Sequence, residues 1–178
     1  FERVPTDGVL PFVRRDTQHA NPAHRPTQAQ YERYIWLVQK FRSLNWDNDQ
    51  LHDASPFQMV DPGFNAILLR SIQEIAELAE ELGETEIAET SRAQLEQGLA
   101  ALETLWNDEL GQYTCYDRVT GKLSSVPSVG GILAAFAPIS VNRAEQVADR
   151  IRSMKDYSNY AVPSHDPKDN EYDGERYW

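Results

Sequence analysis

Four histidines and one cysteine are the side chains of this sequence best suited to bind a transition metal or to act as nucleophiles. His19, His24, His52 and His165 lie far apart, and Cys115 has no second cysteine to join it. None of the histidines belongs to an H-E-x-x-H pattern, which would place two imidazoles on one helix face. The motifs G-x-S-x-G, S-x-x-K and G-x-G-x-x-G are also absent. We therefore predict no zinc site, no activated serine or cysteine, and no dinucleotide-binding loop.

Two acidic stretches resemble calcium-binding loops only superficially. Asp47, Asn48, Asp49 and Asp53 fall within seven residues, but the central glycine and terminal glutamate of an EF-hand are missing. Residues 117–121 have the same deficiency. We interpret the first stretch as a solvated loop and the second as a turn.

Aromatic residues make up 10% of the sequence, and many fall in segments that we predict to be loops. Those loop residues are Trp46, Phe57, Tyr157, Tyr160, Tyr172, Tyr177 and Trp178. Aromatic rings present flat apolar faces to the C–H groups of a pyranose, while neighbouring charged side chains hydrogen-bond its hydroxyls. The pattern therefore favours sugar recognition, with surface packing of the same rings as the alternative.

The overall charge narrows the classes of partner. The chain has 178 residues with 17 Lys and Arg against 28 Asp and Glu, a net charge of −11. A field of that sign repels phosphate backbones and anionic lipids, so we expect no nucleic-acid and no membrane partner. No apolar run reaches the roughly 18 residues that span a bilayer, and a single cysteine cannot form an internal disulfide. We expect a soluble protein of a reducing compartment, the cytoplasm.

The elements that must position these side chains are mostly helical. Residues 1–26 contain four prolines and are predicted to be extended and rich in turns. Thr27 and Gln30 predict a capping box, followed by a helix to about Leu44. Its apolar stripe comprises Tyr31, Tyr34, Ile35, Val38 and Phe41. Residues 45–60 are polar and broken, which predicts a loop.

Two further helices are predicted to form an antiparallel hairpin. Asp61 followed by Pro62 predicts a capped helix start, and Gly83 ends that helix and links it to a third one over residues 85–106. The apolar face of the second helix comprises Phe64, Ile67, Leu68, Ile72, Ile75, Ala79 and Leu82. The inward residues of the third comprise Ala88, Leu95, Leu99, Leu102 and Leu105.

The rest of the chain is more varied. A short β-hairpin is predicted over residues 112–126, a short buried helix over 130–137, and an amphipathic helix over 142–155. The last twenty residues are predicted to be loop. The chain shows no self-similarity near 34 or 40 residues, which disfavours an open repeat array. We therefore predict a mostly α fold, in which helical hairpins form part of an (α/α)6 toroid barrel with a small β-hairpin insert.

The order of several short motifs adds information that composition lacks. They are RRDTQH (14–19), RPT (25–27), YERY (31–34), DPGFNA (61–66), LWNDE (105–109), YD (116–117), GG (130–131), VPS (162–164) and RYW (176–178). In this order they resemble the (α/α)6-barrel glycosidases of glycoside hydrolase family 63, in particular its bacterial glucosylglycerate and mannosylglycerate hydrolases. The resemblance runs over essentially the whole chain.

The resemblance implies an inverting hydrolysis whose two carboxyl groups are not matched in this sequence. The Asp acid of such enzymes belongs to a D-N-S-P motif expected just before Phe1, and the Glu base to a segment well past Trp178. No catalytic residue is therefore assigned here, and Asp61 is interpreted as a helix cap. No metal or organic cofactor is implied. Because six helical hairpins need at least about 250 residues, we expect residues 1–178 to be one partial domain, the central segment of the barrel.

The resemblance also implies substrate-binding residues. Arg25 and Tyr31 are similar to the pair that holds the substrate's carboxylate, and a guanidinium group does match a carboxylate through two parallel hydrogen bonds. Tyr177 and Trp178 resemble a wall on which the sugar stacks. A surface role for Arg25 and a packing role for Tyr31 are the alternatives.

The function expected from these features is part of a glycosidase that acts on a small α-glycoside such as glucosylglycerate or mannosylglycerate. Its expected partners are that small molecule and the remainder of the barrel. The alternatives are a helical-repeat protein-interaction module and a trehalase-like or glucoamylase-like hydrolase of the same fold. The sequence leaves the sugar, the aglycone and homo-oligomer formation open.

Overall fold

The computed structural model of the chain describes residues 1–158 and 162–175. These residues divide into two compact units, residues 1–58 with 173–175 (the first unit) and residues 59–158 with 162–172 (the second unit). The helices are α1 (Gln28–Ser43), α2 (Asn48–Ala54), α3 (Pro62–Glu81), α4 (Thr85–Glu103), α5 (Val129–Leu133) and α6 (Val141–Lys155). The strands are β1 (Met59–Val60), β2 (Trp106–Asn107), β3 (Gln112–Tyr113), β4 (Tyr116–Asp117) and β5 (Lys122–Leu123). The predicted mostly α class with a small antiparallel insert is confirmed.

The first unit is built on α1, which begins with the predicted capping box. The Thr27 side chain accepts a hydrogen bond from the Gln30 backbone N–H, and the Gln30 side chain accepts one from the Thr27 backbone N–H. The helix ends at Ser43, one residue before the predicted limit. Asn45 and Trp46 then have positive φ angles of 51° and 58°, which turn the chain away from the helix axis.

The prediction of a loop over residues 45–60 is wrong in part. The segment contains the seven-residue helix α2, at whose start the Asp47 side chain accepts a hydrogen bond from the Gln50 backbone N–H. Strand β1 follows at Met59–Val60. Helix α2 buries no residue, so it has no apolar stripe that periodicity could detect.

The second unit contains the predicted α3–α4 hairpin. Asp61 caps α3 by accepting from the Phe64 backbone N–H, Pro62 occupies the first helical position, and Gly83 has a φ of +77° in the link. The face of α3 that packs inward carries Ala66, Leu69, Ala76 and Ala79. Most of the larger apolar residues that define the predicted stripe are exposed, including Phe64 at 74% and Leu82 at 69%.

Helix α4 ends three residues earlier than predicted because the chain turns into a strand pair. Strand β2 pairs antiparallel with β3, and the Asn107 side chain accepts two backbone N–H groups in the turn between them. The predicted β-hairpin is present but has shorter strands, which are β4 and β5. Strand β1 pairs with the other side of β4, so the strand order is β1-β4-β5. The β2–β3 pair is a local hairpin, whereas the pairing of β1 with β4 joins distant segments, which local sequence patterns do not encode.

Helices α5 and α6 complete the second unit. A 3-10 turn over Ala134–Phe136 extends α5, which confirms the predicted short helix, and α6 begins one residue before its predicted start. The core comprises Ala66, Leu69, Leu102, Leu105, Trp106, Tyr113, Ile132, Ala134, Ala137, Val147 and Met154. Within the described residues, no helix combines the length and the apolar character needed to cross a membrane.

Candidate anion-binding site

Two arginines of the first unit converge on one carboxylate. Arg14 donates from Nε to Asp16 Oδ1 at 3.1 Å and from Nη2 to Asp16 Oδ2 at 2.6 Å. Arg25 donates from Nε to the same Oδ2 at 3.4 Å. The Asp16 side chain is only 9% exposed, and those of Arg14 and Arg25 are 15% and 21% exposed. We call these three residues the Arg–Asp–Arg cluster.

Short turns in the predicted approach segment bring the cluster together. Asp16 begins a 3-10 turn, and a second 3-10 turn over Pro22–His24 precedes Arg25. The Asn21 side chain accepts from the Ala23 backbone N–H and so caps the second turn. Arg25 has extended dihedral angles, as expected for a residue that precedes proline.

Tyr31 joins the cluster through Arg14. It lies in the first turn of α1, where its backbone N–H donates to the Thr27 carbonyl. The Arg14 guanidinium carbon lies 4.5 Å from the centre of the Tyr31 ring, a cation–π distance. The same ring stacks on Phe12 at 5.6 Å and meets Tyr34 edge-on at 6.3 Å. The ring therefore packs in an aromatic group beside the arginines.

The electrostatics of the cluster favour an anion. The hydrogen bonds from Arg14 lower the pKa of Asp16 to about 2, partial burial opposes this, and the Arg25 contact lowers it further. The carboxylate is therefore ionised at neutral pH, and it raises the pKa of Arg14 in return. Two guanidinium groups and one carboxylate leave one net positive charge in a chain whose total is −11. Such a local charge can attract a small acid.

The structure thus links two of the four predicted binding residues. Arg25 contacts Asp16, and Tyr31 contacts Arg14, which contacts Asp16. Tyr177 and Trp178 lie outside the described residues. Arg14 and Asp16 were missed as site residues, although both belong to the RRDTQH motif, because two residues of opposite charge so close in sequence could equally form a surface ion pair.

The reactive side chains of the second unit have structural partners. Burial, followed by the neighbouring Asp61 carboxylate, raises the pKa of the Cys115 thiol to about 11. The Cys115 Sγ lies 3.5 Å from Asp61 Oδ2, so the thiol stays protonated at neutral pH. Among the described residues, no group of three or more His, Cys, Asp and Glu side chains is placed to hold a metal ion.

A cleft of about 940 Å³ opens in the second unit between α3, α4 and the strands. Its lining includes Leu68, Leu69, Ile72, Gly98 and Leu123. None of the described residues that line it carries a formal charge. The cleft therefore offers no counter-charge to an acidic ligand, in contrast to the Arg–Asp–Arg cluster.

Comparison with known proteins identifies the family. The sequence profile of the mannosylglycerate hydrolase MGH1-like glycoside hydrolase domain matches residues 2–178. The chain belongs to this family. Similar crystal structures are of family 63 enzymes, so the predicted resemblance to glycoside hydrolase family 63 is confirmed.

Individual proteins are also similar to the chain. The mannosylglycerate hydrolase of Thermus thermophilus is 37% identical over the whole chain. The glucosylglycerate hydrolase of Mycolicibacterium hassiacum is 33% identical over 76 residues, 42% of this chain and 17% of that protein. A crystal structure of a family 63 mannosylglycerate hydrolase from Thermus thermophilus, in complex with Tris and D-glycerate, superposes with a TM-score of 0.92 at 35% identity.

Coverage of these MGH1-like relatives is partial. The structural match includes 99% of this chain but 43% of the crystallised enzyme. In sequence, the chain likewise spans 43% of the Thermus thermophilus relative.

Proposed function

We propose that the protein containing this chain is a glycosidase that hydrolyses a small α-glycoside of glycerate. Mannosylglycerate and glucosylglycerate are the candidate substrates, since a relative named for the first is 37% identical over the whole chain and one named for the second is 33% identical over 76 residues. The Arg–Asp–Arg cluster carries the proposal, because it supplies local positive charge for the carboxylate of such a substrate in an otherwise acidic chain.

In this proposal, Arg25 and Tyr31 bind the glycerate carboxylate. The guanidinium of Arg25 donates charge-assisted hydrogen bonds, each worth roughly 1.5–3 kcal/mol. The Tyr31 hydroxyl adds a further hydrogen bond from the first turn of α1. The D-glycerate held by the 35%-identical structure supports glycerate as the ligand class. We also propose that Tyr177 and Trp178, which lie outside the described residues, stack on the sugar.

The chemical step is an inverting hydrolysis by two carboxyl groups outside this chain. A carboxylic acid protonates the glycosidic oxygen, while a carboxylate about 6.5–9.5 Å away activates water on the opposite face of the sugar. The chain itself supplies binding and orientation, and it acts together with the remainder of the barrel. The mechanism uses no metal or organic cofactor.

The family match favours this glycosidase over a helical-repeat interaction module. A trehalase-like or glucoamylase-like specificity is the competing possibility within the same fold, and it differs in having no acidic aglycone. The absence of nucleic-acid and membrane partners and the cytoplasmic location stay predictions.

The test is sugar release by the intact protein from mannosylglycerate, glucosylglycerate and trehalose, measured in parallel. We expect turnover of at least one glycerate glycoside and little or none of trehalose. Arg25→Ala should lower kcat/KM for the glycerate glycoside about 10–100-fold, the loss expected for one charge-assisted hydrogen bond. Arg25→Lys should recover only part of it, because an ammonium cannot make the two-pronged contact.

The matched control is Arg152→Ala, which removes an arginine whose side chain is 72% exposed. It should leave kcat/KM unchanged. A neutral glycoside of the same sugar has no carboxylate to lose, so Arg25→Ala should affect its turnover much less. Hydrolysis of trehalose in preference to both glycerate glycosides would overturn the proposed substrate class.

A further inference from the structure

Arg14 and Arg25 contact Asp16 in different ways. Arg14 presents two nitrogens to both carboxylate oxygens, and its Nη2 also donates to the Pro26 carbonyl oxygen at 2.9 Å. These donors are committed to groups of the protein itself. Arg14 thereby ties the Asp16 turn to the segment that connects Arg25 with α1.

Arg25 contacts the same carboxylate by one edge. Its Nε lies 3.4 Å from Asp16 Oδ2. A contact at Nε restrains the plane of a guanidinium, and the terminal nitrogens in that plane can bind a carboxylate through two parallel hydrogen bonds. The backbone of Arg25 is restrained as well, by the preceding turn and by Pro26.

The same arrangement restrains Tyr31. The Arg14 guanidinium lies over its ring, and Arg14 is itself fixed by two hydrogen bonds to Asp16. Asp16 therefore restrains both residues that the proposed function assigns to binding the glycerate carboxylate. It contacts Arg25 directly and Tyr31 through Arg14.

We propose that Asp16 and Arg14 are positioning residues of the anion site, which orient Arg25 and Tyr31 toward the substrate carboxylate without binding it themselves. This inference rests on the proposed function. It assigns to the RRDTQH motif a role in substrate affinity rather than in the chemical step.

The proposal makes a prediction opposite to that of simple electrostatics. Asp16→Asn raises the net charge of the Arg–Asp–Arg cluster from one to two, so charge alone would tighten the binding of an acid. Asparagine keeps one acceptor oxygen and replaces the other by an NH2 donor, so it cannot hold both guanidinium groups as the carboxylate does, and preorganisation of the fork is lost. If positioning dominates, glycerate binding weakens despite the added positive charge.

The experiment measures D-glycerate binding to the intact protein by titration calorimetry, together with steady-state kinetics. We expect Asp16→Asn to weaken glycerate binding about tenfold, the effect of losing one charge-assisted hydrogen bond. The KM for a glycerate glycoside should rise similarly, whereas kcat for a neutral glycoside of the same sugar should stay unchanged. Tighter or unchanged glycerate binding in Asp16→Asn would overturn the positioning role.

A double-mutant cycle tests whether Asp16 acts through Arg25. Once Arg25→Ala has removed the fork, adding Asp16→Asn should weaken glycerate binding by much less than tenfold. A full additional tenfold loss would show that Asp16 acts elsewhere and would contradict the proposal. Asp53→Asn is the matched control, since it makes the same change at a carboxylate that is 91% exposed in the same unit, and it should not alter binding.

Two further measurements separate the possible failures. Thermal unfolding checks that each variant is folded. If Asp16→Asn does not fold, Arg14→Lys replaces it, because lysine keeps the charge but cannot make the two-pronged contact with Asp16. Arg14→Lys should also weaken glycerate binding. A wild-type protein that hydrolyses glycosides but binds no glycerate would refute the anion site, and with it the positioning role. Normal glycerate binding without hydrolysis would refute only the proposed activity.

Discussion

At the scale of single residues, Asp16 couples the stability of the first unit to pH. Its pKa of about 2 in the folded chain lies below the ordinary value of 3.8, chiefly because of the Arg14 hydrogen bonds. A lowered carboxyl pKa stabilises the folded state at pH values above the ordinary pKa, and this stabilisation is lost as pH falls through the folded pKa. The contribution of Asp16 should therefore decline between about pH 4 and pH 2.

Urea unfolding of wild-type protein and Asp16→Asn as a function of pH tests this expectation. The variant should be less stable at pH 7, and the difference should shrink below pH 4, because near pH 2 the folded wild-type carboxyl is already about half protonated. Asp53→Asn, at an exposed site, measures how much the stability changes when a carboxylate without buried ion contacts is removed. A stability difference that stays constant from pH 7 to pH 2 would mean that the ion contacts of Asp16 do not stabilise the fold.

Cys115 is expected to be a slow nucleophile. Since burial and the Asp61 carboxylate raise its pKa from 9.0 to about 11, its thiolate fraction near pH 8 should fall roughly 100-fold. Labelling by iodoacetamide should be slower by at least this factor in the native protein than in guanidinium chloride. Asp61→Asn keeps a good helix cap but removes the charge, so it should accelerate native labelling in part. Equal native and denatured rates would contradict the raised pKa.

At the scale of elements, a close approach between α5 and β3 limits the size of one residue. A Cβ atom on Gly131 would lie 1.9 Å from the Tyr113 carbonyl oxygen and 2.6 Å from Gln112 Nε2. Because the nearer atom belongs to the backbone of a strand, the clash cannot be relieved by a rotamer change. Gly131→Ala should therefore lower the free energy of unfolding by about 3 kcal/mol, at the upper end for overpacked cores.

Gly98 provides the comparison for that experiment. A Cβ there would meet Leu69 Cδ2 at 2.3 Å, but this atom is the end of a flexible side chain, and alanine stabilises a helix interior by about 1 kcal/mol relative to glycine. Gly98→Ala should change the unfolding free energy by less than about 1 kcal/mol. Chemical denaturation measures the unfolding free energy of both variants. If Gly131→Ala and Gly98→Ala lost the same amount, the backbone clash at Gly131 would not be what determines the cost.

At the scale of the whole molecule, the exposed apolar stripe of α3 should govern how residues 1–178 behave alone. The stripe comprises Phe64, Ile67, Leu68, Ile75, Leu78 and Leu82, all at least 49% exposed. Contiguous apolar surface of this kind promotes association in water. We expect the isolated chain to bind a hydrophobic dye and to associate with increasing concentration in sedimentation experiments.

Substitutions on the two faces of α3 should have different effects. Replacing Leu78 and Leu82 by Gln should reduce dye binding and association without lowering stability. Leu69→Ala, in the core at 4% exposure, should instead lower stability by about 2–5 kcal/mol. If the isolated chain sediments as a strict monomer and melts cooperatively, the exposed stripe of α3 does not need to pack against another surface.

The isolated chain should also hydrolyse no glycoside. The proposed mechanism places both catalytic carboxyl groups outside residues 1–178, and each contributes roughly 10²–10⁴-fold. Turnover of mannosylglycerate or glucosylglycerate by the purified chain, free of other enzymes, would contradict this assignment of the acid and the base.

The sequence by itself determined those features whose physical cause is local. Thr27 with Gln30, Asp61 with Pro62, and Gly83 act within a few residues of themselves, so their caps and helix ends were predicted and are present. Helical periodicity likewise located α1, α3, α4 and α6, because apolar residue types recur along one helix face every 3.6 residues. Motif order led to the family, and with it to Arg25 and Tyr31 as candidate binding residues.

Only the tertiary structure decided which segments pair and which side chains meet. Strand β1 pairs with β4 across more than fifty residues, and α2 has a cap but no apolar stripe. Most large apolar residues of α3 are exposed, whereas Leu69 and three alanines are buried. Arg14 and Asp16 are two residues apart, yet nothing local shows that Arg25 shares the same carboxylate and that Tyr31 lies under the same guanidinium. Such contacts depend on how the chain returns upon itself, and no short-range pattern of residues records that path.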